Sequence, residues 1–466
     1  MSKQVQIPAD AFRHNLDVEA LRLWVEQQRW YASKSRHVTG IEIDEGVVVC
    51  EDPPLFLALV QTRFATGSHE LYQLPLTFLP SGESTDFDPI AVTPEWSAFD
   101  AVSNPELTRD LLRRIAADEV LESDDGVFGF HHVLGTGPIS PDAPVRAIAV
   151  EQSNSSIVFG DQIVLKVFRK LEPGINPELE VLQFLTRRQF PNIAPLIGWY
   201  DYQGRSFSAT LGVAQRFFPR AIGGWEMALD RIESDPEAFL TELGSLGTVT
   251  AELHNALASD ANDPAFAPEE PSSEAMSLLT ATIDEDIERI FTRLPDDERV
   301  AAIAGRGQDV RERIAMRAQL GVGGRSIRTH GDYHLGQTLH TPTGWVIIDF
   351  EGEPARPLFQ RRQKRSPLRD IASMLRSFAY ATSAATIMRG APPPAGFEQR
   401  ARETFLEHYF ARIDPALLPA GESGVASQLS IFELEKAIYE LQYELDNRPD
   451  WLPIPAAGIA RLLEST

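Results

Sequence analysis

The stretch HGDYHLGQ (residues 330–337) contains two histidines, an aspartate and an amide within eight residues. Protein kinases place the catalytic aspartate five positions before a metal-binding asparagine, in the pattern HRDLxxxN. Asp332 precedes Gln337 by the same interval. A short loop with this spacing can turn both side chains toward one point, so the stretch predicts a catalytic loop for phosphoryl transfer.

A second carboxylate follows in IIDFEGEP (residues 347–354), where Asp349 ends the apolar run WVII. A strand that ends there would deliver Asp349 to a cleft, as the second metal-binding carboxylate of kinases requires. Gln337 and Asp349 are therefore predicted to hold Mg²⁺, which prefers hard oxygen ligands. Asp332 is predicted to be the base. The sequence reads DFEG instead of DFG, so Glu351 is an additional acid.

A zinc site is the alternative for this stretch. His330 and His334 have the i, i+4 spacing that binds zinc on a helix. Gly331 and Gly336 disfavour a helix here, and no glutamate lies between the two histidines. A zinc hydrolase is therefore a minor alternative.

The upstream part of the chain contains the other half of a kinase site. Lys166 lies in the strand-like run IVLKVFR, after a hairpin whose residues QSNSS (152–156) can cover phosphates with backbone N–H groups and hydroxyls. A glutamate on the following helix should pair with this lysine. Glu178 and Glu180 both qualify, and we favour Glu180.

Composition limits the class of protein. A chain of 466 residues predicts two or three packed units. The net charge of −24 disfavours nucleic acid and anionic membranes, although a small anionic ligand remains compatible with a locally basic pocket. Cys50 is the only cysteine, which excludes disulfides within the chain. No long apolar run predicts a transmembrane helix, and the N-terminus lacks a signal-peptide core, so we expect a cytoplasmic protein.

Hydrophobic periodicity gives an outline of the fold. Helices are predicted at 17–31, 106–122, 177–188 and 238–257. Strands are predicted at 41–49, 55–64, 70–79, 145–152, 155–160, 162–169, 193–202 and 208–218, and a loop at 123–144. Gly160-Asp161 is a turn signal, Ser366-Pro367 predicts a helix start, and Ile371, Met374, Leu375 and Phe378 form an apolar stripe. The order predicts an α+β protein-kinase-like fold with a β-rich cap at 1–90, a region with the ATP-binding lobe at 91–218 and a helical lobe at 219–466.

The motifs HGDYHLGQ, IIDFEGEP and DIA (370–372) resemble the aminoglycoside phosphotransferase-like kinases. Longer segments resemble the bacterial maltokinases over most of the chain, from about residue 29 to 459. These segments are RWYASKSR (29–36), EQSNSSIVFG (151–160), GINPELEVLQFL (174–185), GWEMAL (224–229), the run at 351–380 and the run at 439–455. The first of them usually reads nearer RWFGGKGR in the family, which puts the conformation of the cap in doubt.

The resemblance implies a bilobal kinase with an N-terminal cap that converts ATP and maltose to ADP and maltose 1-phosphate, with ATP and Mg²⁺ as cofactors. It implies a role in α-glucan (glycogen) synthesis and trehalose synthase as a plausible partner. It assigns Asp332 as the base, and Gln337 and Asp349 as Mg²⁺ ligands. The residues implied for ATP are Lys166, Glu180, Ser153, Asn154, Ser155, Ser156, Gln215 and Phe217. The residues implied for the sugar are His330, Glu351, Arg376, Lys436, Tyr439, Tyr443 and Trp451.

Two other functions remain open. One is a kinase for a different sugar: glucosamine would need an acid beside its amino group, for which Glu440 or Glu444 could serve. A polycationic aminoglycoside is disfavoured by Lys436 and the basic cluster at 361–365. The other is a non-catalytic pseudokinase, which is disfavoured because the kinase-type lysine and aspartates are all present.

Overall fold

The computed structural model describes residues 16–82, 85, 87–137, 139–148, 154–318 and 323–464, except for the side chains at 273 and 275. The chain divides into two compact units. One contains the residues up to 186 together with 194–219, and the other contains 187–193 together with the residues from 220 onward. The predicted domain limits at 90 and 218 stay predictions.

The first unit begins with helix α1 on an antiparallel sheet. Asp17 caps the helix by accepting hydrogen bonds from two backbone N–H groups. Leu21 and Val25 belong to the same buried core as alternate residues of the second strand, because side chains two apart share a face of a strand. The predicted helix and three strands are confirmed, although the helix ends at Gln27. The elements are α1 Val18–Gln27, β1 Val38–Glu51, β2 Pro54–Phe64, β3 His69–Pro80, β4 Ala91–Val92 and β5 Trp96–Asp100, with strand order β1-β2-β3-β5-β4.

A second antiparallel sheet follows in the same unit, with strand order β6-β7-β12-β13-β10-β9-β8. Gly160 and Asp161 both have positive φ (55° and 50°), so the predicted turn between β9 and β10 is confirmed. The strand β11 instead pairs with β3 of the first sheet. The elements are α2 Arg109–Ala117, β6 Val120–Glu122, β7 Gly126–His132, β8 Val145–Ile148, β9 Asn154–Phe159, β10 Ile163–Phe168, β11 Lys170–Leu171, α3 Pro177–Arg187, β12 Leu196–Gly204 and β13 Ser208–Arg216.

Two predictions in this sheet region need correction. The segment 123–144 was expected to be a loop, but β7 lies within it and pairs with β12. The helix expected over 106–122 is confined to α2, because Asp118 takes a left-handed conformation (φ 52°) that ends the helix. The chain then enters strand β6.

The second unit is mainly helical, as predicted, with one small three-stranded sheet in the order β14-β15-β16. The predicted stripe of helix α9 is confirmed, since Ile371, Met374, Leu375 and Phe378 are buried. This helix begins at Leu368, after Pro367. Among the described helices, none has both the length and the apolar character that a membrane crossing requires. The elements are β14 Ile222–Gly223, α4 Gly224–Ser234, α5 Pro236–Leu257, α6 Ser273–Phe291, α7 Gly307–Ala318, β15 Thr338–Thr341, β16 Gly344–Ile347, α8 Leu358–Arg361, α9 Leu368–Arg389, α10 Phe397–Arg412, α11 Gly421–Asn447 and α12 Pro453–Glu464.

Candidate active site

The first half of the candidate site lies in the β-rich unit, around Lys166 of strand β10. Its side chain is 10% exposed, and Nζ lies 2.9 Å from Oε2 of Glu178 on helix α3. Gln215 of strand β13 donates from Nε2 to the other carboxylate oxygen at 2.8 Å. Because a buried charge is costly without a partner, this pair and its amide hold each other in place. Kinases use such a lysine–glutamate pair to present the lysine to ATP phosphates.

The structure corrects the choice of glutamate from Glu180 to Glu178. Residues two apart on a helix do not face the same side, so only one of the two can point at Lys166. Asn176 accepts a hydrogen bond from the N–H of Glu178 at 2.8 Å and starts the helix there. Glu178 is 1% exposed, whereas Glu180 is only partly buried. The sequence alone did not reveal which face of the helix meets the sheet.

Of the residues 152–156 expected to cover the phosphates, the structure describes Asn154, Ser155 and Ser156, and the last two fall in the strand predicted at 155–160. Asn154, Ser155 and Ser156 are the first three residues of strand β9 and pair with β10. The Ser155 hydroxyl accepts a hydrogen bond from Nε of Arg169 at 2.8 Å. These three residues are therefore part of the sheet ladder.

Three other predicted ATP residues keep their roles only as predictions. Residues 149–153, between β8 and β9, lie outside the described residues, and Ser153 is one of them. The side chain of Gln215 binds Glu178, and the backbone N–H of Phe217 donates to the carbonyl of Gln162 at 2.7 Å. A contact of Gln215 or Phe217 with adenine stays a prediction.

The Lys166–Glu178 pair makes a testable prediction. Glu178→Gln removes the negative charge and should raise the KM for ATP about tenfold, because the lysine loses the group that positions it. Glu180→Gln is the matched control, one carboxylate on the same helix turn, and should leave KM nearly unchanged. Steady-state ADP release over a range of ATP concentrations measures both. If Glu180→Gln raised the KM for ATP more than Glu178→Gln did, Glu180 and not Glu178 would be the glutamate that positions Lys166.

The second half of the candidate site, in the helical unit, is the HGDYHLGQ loop. His330 is 1% exposed and its Nε2 donates to the carbonyl of Ile348 at 2.9 Å. Its ring packs against those of Tyr333 and Phe350, with centroids 5.2 and 5.0 Å away. The N–H of Asp332 points to Nδ1 at 3.4 Å, which fits the neutral tautomer protonated on Nε2. His330 supports the loop from within, which corrects its assignment to the sugar pocket.

Asp370 of helix α9 anchors the same loop and is a residue whose role the sequence analysis missed. Its carboxylate accepts hydrogen bonds from the backbone N–H groups of His330 (2.8 Å) and Gly331 (3.0 Å) and lies 3.2 Å from Nε2 of His254. Burial favours the neutral acid, but the hydrogen bonds from His254 and Gly331 outweigh it and hold the pKa of Asp370 below its usual value. The DIA motif (370–372) indicated this role, because an aspartate on the buried face of a helix needs hydrogen-bond donors from neighbouring segments.

Asp332 projects from this anchored loop and keeps 22% of its side chain exposed. Lys436 of helix α11 lies beside it, with Nζ 3.6 Å from Oδ1. Burial lowers the pKa of Lys436, but the carboxylates of Asp332 and Glu353 outweigh it, so the pKa lies above its usual value. Asp332 is therefore a carboxylate that an acceptor hydroxyl can reach, as a general base requires.

The two predicted metal ligands lie together. Nε2 of Gln337 is 2.9 Å from Oδ2 of Asp349, so the amide and the carboxylate meet at one point. Asp349 has a φ of 65°, a left-handed conformation that is unfavourable by about 1–2 kcal/mol for an L-residue and that recurs at functional sites. Both side chains carry the hard oxygen atoms that Mg²⁺ prefers, so these residues fit the ion. The side chain of Glu351, two positions on, is partly buried and its sugar role stays a prediction.

Several predicted sugar residues lie on one exposed face next to Asp332. Tyr439 and Tyr443 follow Lys436 along helix α11 and are 43% and 46% exposed. Lys436 lies over the Tyr439 ring, 5.1 Å from its centroid, and Arg448 lies over both Tyr443 (5.3 Å) and Trp451 (4.7 Å). We call the three rings Tyr439, Tyr443 and Trp451 the aromatic face.

Arg376 does not belong to this surface, which corrects its assignment to the sugar pocket. It is 0% exposed and lies 2.7 Å from Glu440 inside the helical core. A Cβ at Gly458 would lie 2.0 Å from its guanidinium, so helix α12 packs directly against it. Helix α9 is buried on most sides here, and Arg376 is a structural cation.

Comparison with known proteins agrees with these features. The maltokinase N-terminal cap domain matches residues 24–95, and the phosphotransferase enzyme family matches residues 144–385. A glucosamine kinase of Streptacidiphilus jiangxiensis is 25% identical over 354 residues, which cover 73% of this chain and 77% of that protein. A glucosamine kinase of Mycolicibacterium smegmatis is 27% identical over 330 residues, which cover 68% of this chain and 79% of that protein.

A solved structure shares the fold. A glucosamine kinase in complex with glucosamine, ADP and inorganic phosphate has a TM-score of 0.72 and 18% identity, with 98% of this chain and 100% of that chain covered. The predicted α+β kinase-like fold, with a β-rich N-terminal region and a helical C-terminal region, is confirmed. The family match at 144–385 spans more than half of the 466 residues. The chain therefore belongs to the phosphotransferase enzyme family.

Proposed function

We propose that this chain is an ATP-dependent sugar kinase whose acceptor is maltose and whose product is maltose 1-phosphate. The observation that carries the choice of acceptor is the aromatic face, which begins beside the catalytic base. The match of the maltokinase cap domain to residues 24–95 supports the same choice. A role in glycogen synthesis, with trehalose synthase as supplier of maltose and as partner protein, is part of this proposal.

The length of the aromatic face supports a disaccharide. Lys436 and Tyr443 are seven residues apart on one helix, which corresponds to about 10 Å along its axis. Aromatic rings offer flat apolar surfaces for the faces of pyranose rings, and their polar tips can bind hydroxyls. A single hexose at Asp332 would reach Lys436 and Tyr439, whereas a second linked ring would reach Tyr443.

The charges near this face disfavour an amino sugar. Glu440 and Glu444, the two acids considered for the amino group of glucosamine, are 9% and 1% exposed. Glu440 pairs with Arg376 at 2.7 Å, and Glu444 pairs with Arg448 at 2.8 Å. Both carboxylates are therefore already paired with arginines of the helical unit. In addition, Lys436 would repel an ammonium group placed beside Asp332.

Glucosamine remains the second candidate because the two relatives described above are named glucosamine kinases. Their identities of 25% and 27% leave room for a different acceptor, since sugar specificity depends on a few hydroxyl contacts. A glucosamine acceptor would need a carboxylate other than the two above.

The proposed reaction is a direct in-line transfer. Asp332 takes the proton of the acceptor hydroxyl. At the same time the hydroxyl oxygen of the acceptor bonds to the γ-phosphorus, and the bond from that phosphorus to the departing ADP breaks. Gln337 and Asp349 would hold Mg²⁺, which, when bound, neutralises charge on the phosphates. Lys166, held by Glu178, binds the phosphates, and the anchored loop keeps Asp332 in position.

A panel of acceptors tests the proposal. With Mg²⁺-ATP we expect coupled ADP release to be fastest with maltose among maltose, glucose, glucosamine, trehalose and kanamycin. Tyr443→Ala should raise the KM for maltose about fivefold to tenfold, because one ring contact is lost, and leave the KM for ATP unchanged. The product should carry phosphate on the anomeric carbon.

Phe410→Ala is the matched control, since Phe410 is an exposed aromatic residue on a different helix (38% exposed). It should leave the KM for maltose unchanged. The enzyme could instead turn over glucosamine fastest, with a KM for glucosamine that Tyr443→Ala does not alter. That result would show that the acceptor is glucosamine and not maltose.

A further inference from the structure

A pocket in the helical unit, beside the catalytic loop, is lined by an excess of cations. Thr329, directly before the loop, and Gly331 within it form part of the pocket wall. Its five basic side chains are Arg356, Arg361, Arg365, Arg369 and Lys436. The whole chain carries a net charge of −24, so the sign of this pocket is opposite to that of the chain. Local charge of this kind selects anions.

The acidic residues of the wall do not balance these cations. Glu353 pairs with Arg356 at 2.5 Å. One oxygen of Glu435 lies 2.5 Å from Arg369 and 3.8 Å from Arg356. The third acid is Asp370, whose carboxylate binds backbone amides of the catalytic loop, as described above. Lys436, in turn, lies 3.6 Å from Asp332 of the loop, so three carboxylates face the five cations.

Arg365 is the cation without an acidic partner. Its guanidinium donates to Oε1 of Gln363 at 3.1 Å, and no carboxylate of the described residues lies within 4 Å of it. Burial and the charges of Arg369 and Arg356 lower the pKa of Arg365 to about 10. A partly buried guanidinium held near two others is unfavourable unless an anion joins them.

We propose that this pocket binds a phosphate-type oxyanion, with Arg365 as its main ligand. One guanidinium group can bind two phosphate oxygens at once, and several guanidinium groups line this pocket. The anion has two possible sources, free inorganic phosphate or the phosphoryl group of a phosphorylated sugar. The pocket also contains Lys436 and Tyr439 of the acceptor surface, so a phosphorylated sugar could reach both. The proposal goes beyond the proposed function and holds for any acceptor sugar.

Thermal unfolding in inorganic phosphate, at constant ionic strength set with potassium chloride, tests the site without any turnover. We expect the Tm of the wild type to rise by several degrees and to saturate with phosphate. Arg365→Gln should lose this rise. Lys364→Gln should keep it, because the neighbouring Lys364 pairs with Glu269 at 2.7 Å outside the pocket. An equal rise in the wild type and Arg365→Gln would overturn the proposal.

Two further measurements separate a ligand site from a structural role and assign the source. Without phosphate, Arg365→Gln should melt at or above the wild-type Tm, because the substitution relieves repulsion among the arginines. A Tm well below the wild type in both conditions would make Arg365 a structural residue and reject the site. If glucose 1-phosphate raises the Tm at a lower concentration than inorganic phosphate does, the natural ligand is a phosphorylated sugar. If the two raise the Tm at equal concentrations, the ligand is free phosphate.

Discussion

Asp332→Asn is expected to lower kcat about a thousandfold while Mg²⁺-ATP still binds. The asparagine amide has nearly the shape of the carboxylate but cannot take a proton from the acceptor hydroxyl. The loop should keep its conformation, since its anchors are the ring of His330 and the carboxylate of Asp370. Coupled ADP release measures kcat, and the rise in Tm on adding Mg²⁺-ATP measures nucleotide binding.

Asp309→Asn is the control for this substitution. Asp309 is an exposed carboxylate on helix α7, paired with Arg306 at 3.2 Å, and its loss should change neither quantity. Turnover of Asp332→Asn near the wild-type rate would mean that another group is the base. Loss of both turnover and the ATP-dependent rise in Tm would mean that the substitution disturbs the protein beyond proton transfer.

The sequence predicts the elements of the fold well where hydrophobic alternation is uninterrupted. Strands β9 and β10 and the Gly160-Asp161 turn between them were predicted correctly. Strand β7 was missed because glycines interrupt its pattern. A Cβ at Gly126 would lie 2.5 Å from the carbonyl oxygen of Gln203 on the paired strand β12, so close packing of the two backbones requires glycine there. A residue type that usually marks a loop is here a requirement of the strand.

The candidate site was predictable only where its residues are close in the chain. The spacing in HGDYHLGQ indicated Asp332 and Gln337, and Asp349 lies beside Gln337 as expected. Contacts between distant segments could not be read from spacing. Lys436 reaches Asp332 through the packing of helix α11, and Arg376 turned out to be buried although its helix pattern gave no sign of this.

Asp370→Ala is expected to destabilise the protein by about 3–5 kcal/mol and to lower kcat about a hundredfold. The substitution leaves the backbone N–H groups of His330 and Gly331 and the ring of His254 without their buried acceptor. Asp332 follows those two residues directly, so a small displacement of the loop would move its carboxylate, the proposed base. The pKa of Asp370 is depressed in the folded state, so its stabilisation is complete above the usual carboxyl pKa of about 4 and is lost only as the pH falls below it. Urea unfolding and kcat at pH 7 therefore measure the full effect.

Glu433→Gln separates positioning from simple loss of stability. Glu433 is a buried carboxylate of helix α11 that pairs with Arg402 at 2.8 Å and makes no described contact with the loop. It should also destabilise the protein, because it leaves a largely buried arginine without its partner, but kcat should remain near the wild-type value once the protein is folded. Asp370→Asn keeps one acceptor oxygen and should fall between the wild type and Asp370→Ala in both measurements. If Asp370→Ala lost stability with an unchanged kcat, the carboxylate would support the helical core without positioning Asp332, and the rigidity of the catalytic loop would have to come from the packing of His330 and Tyr333.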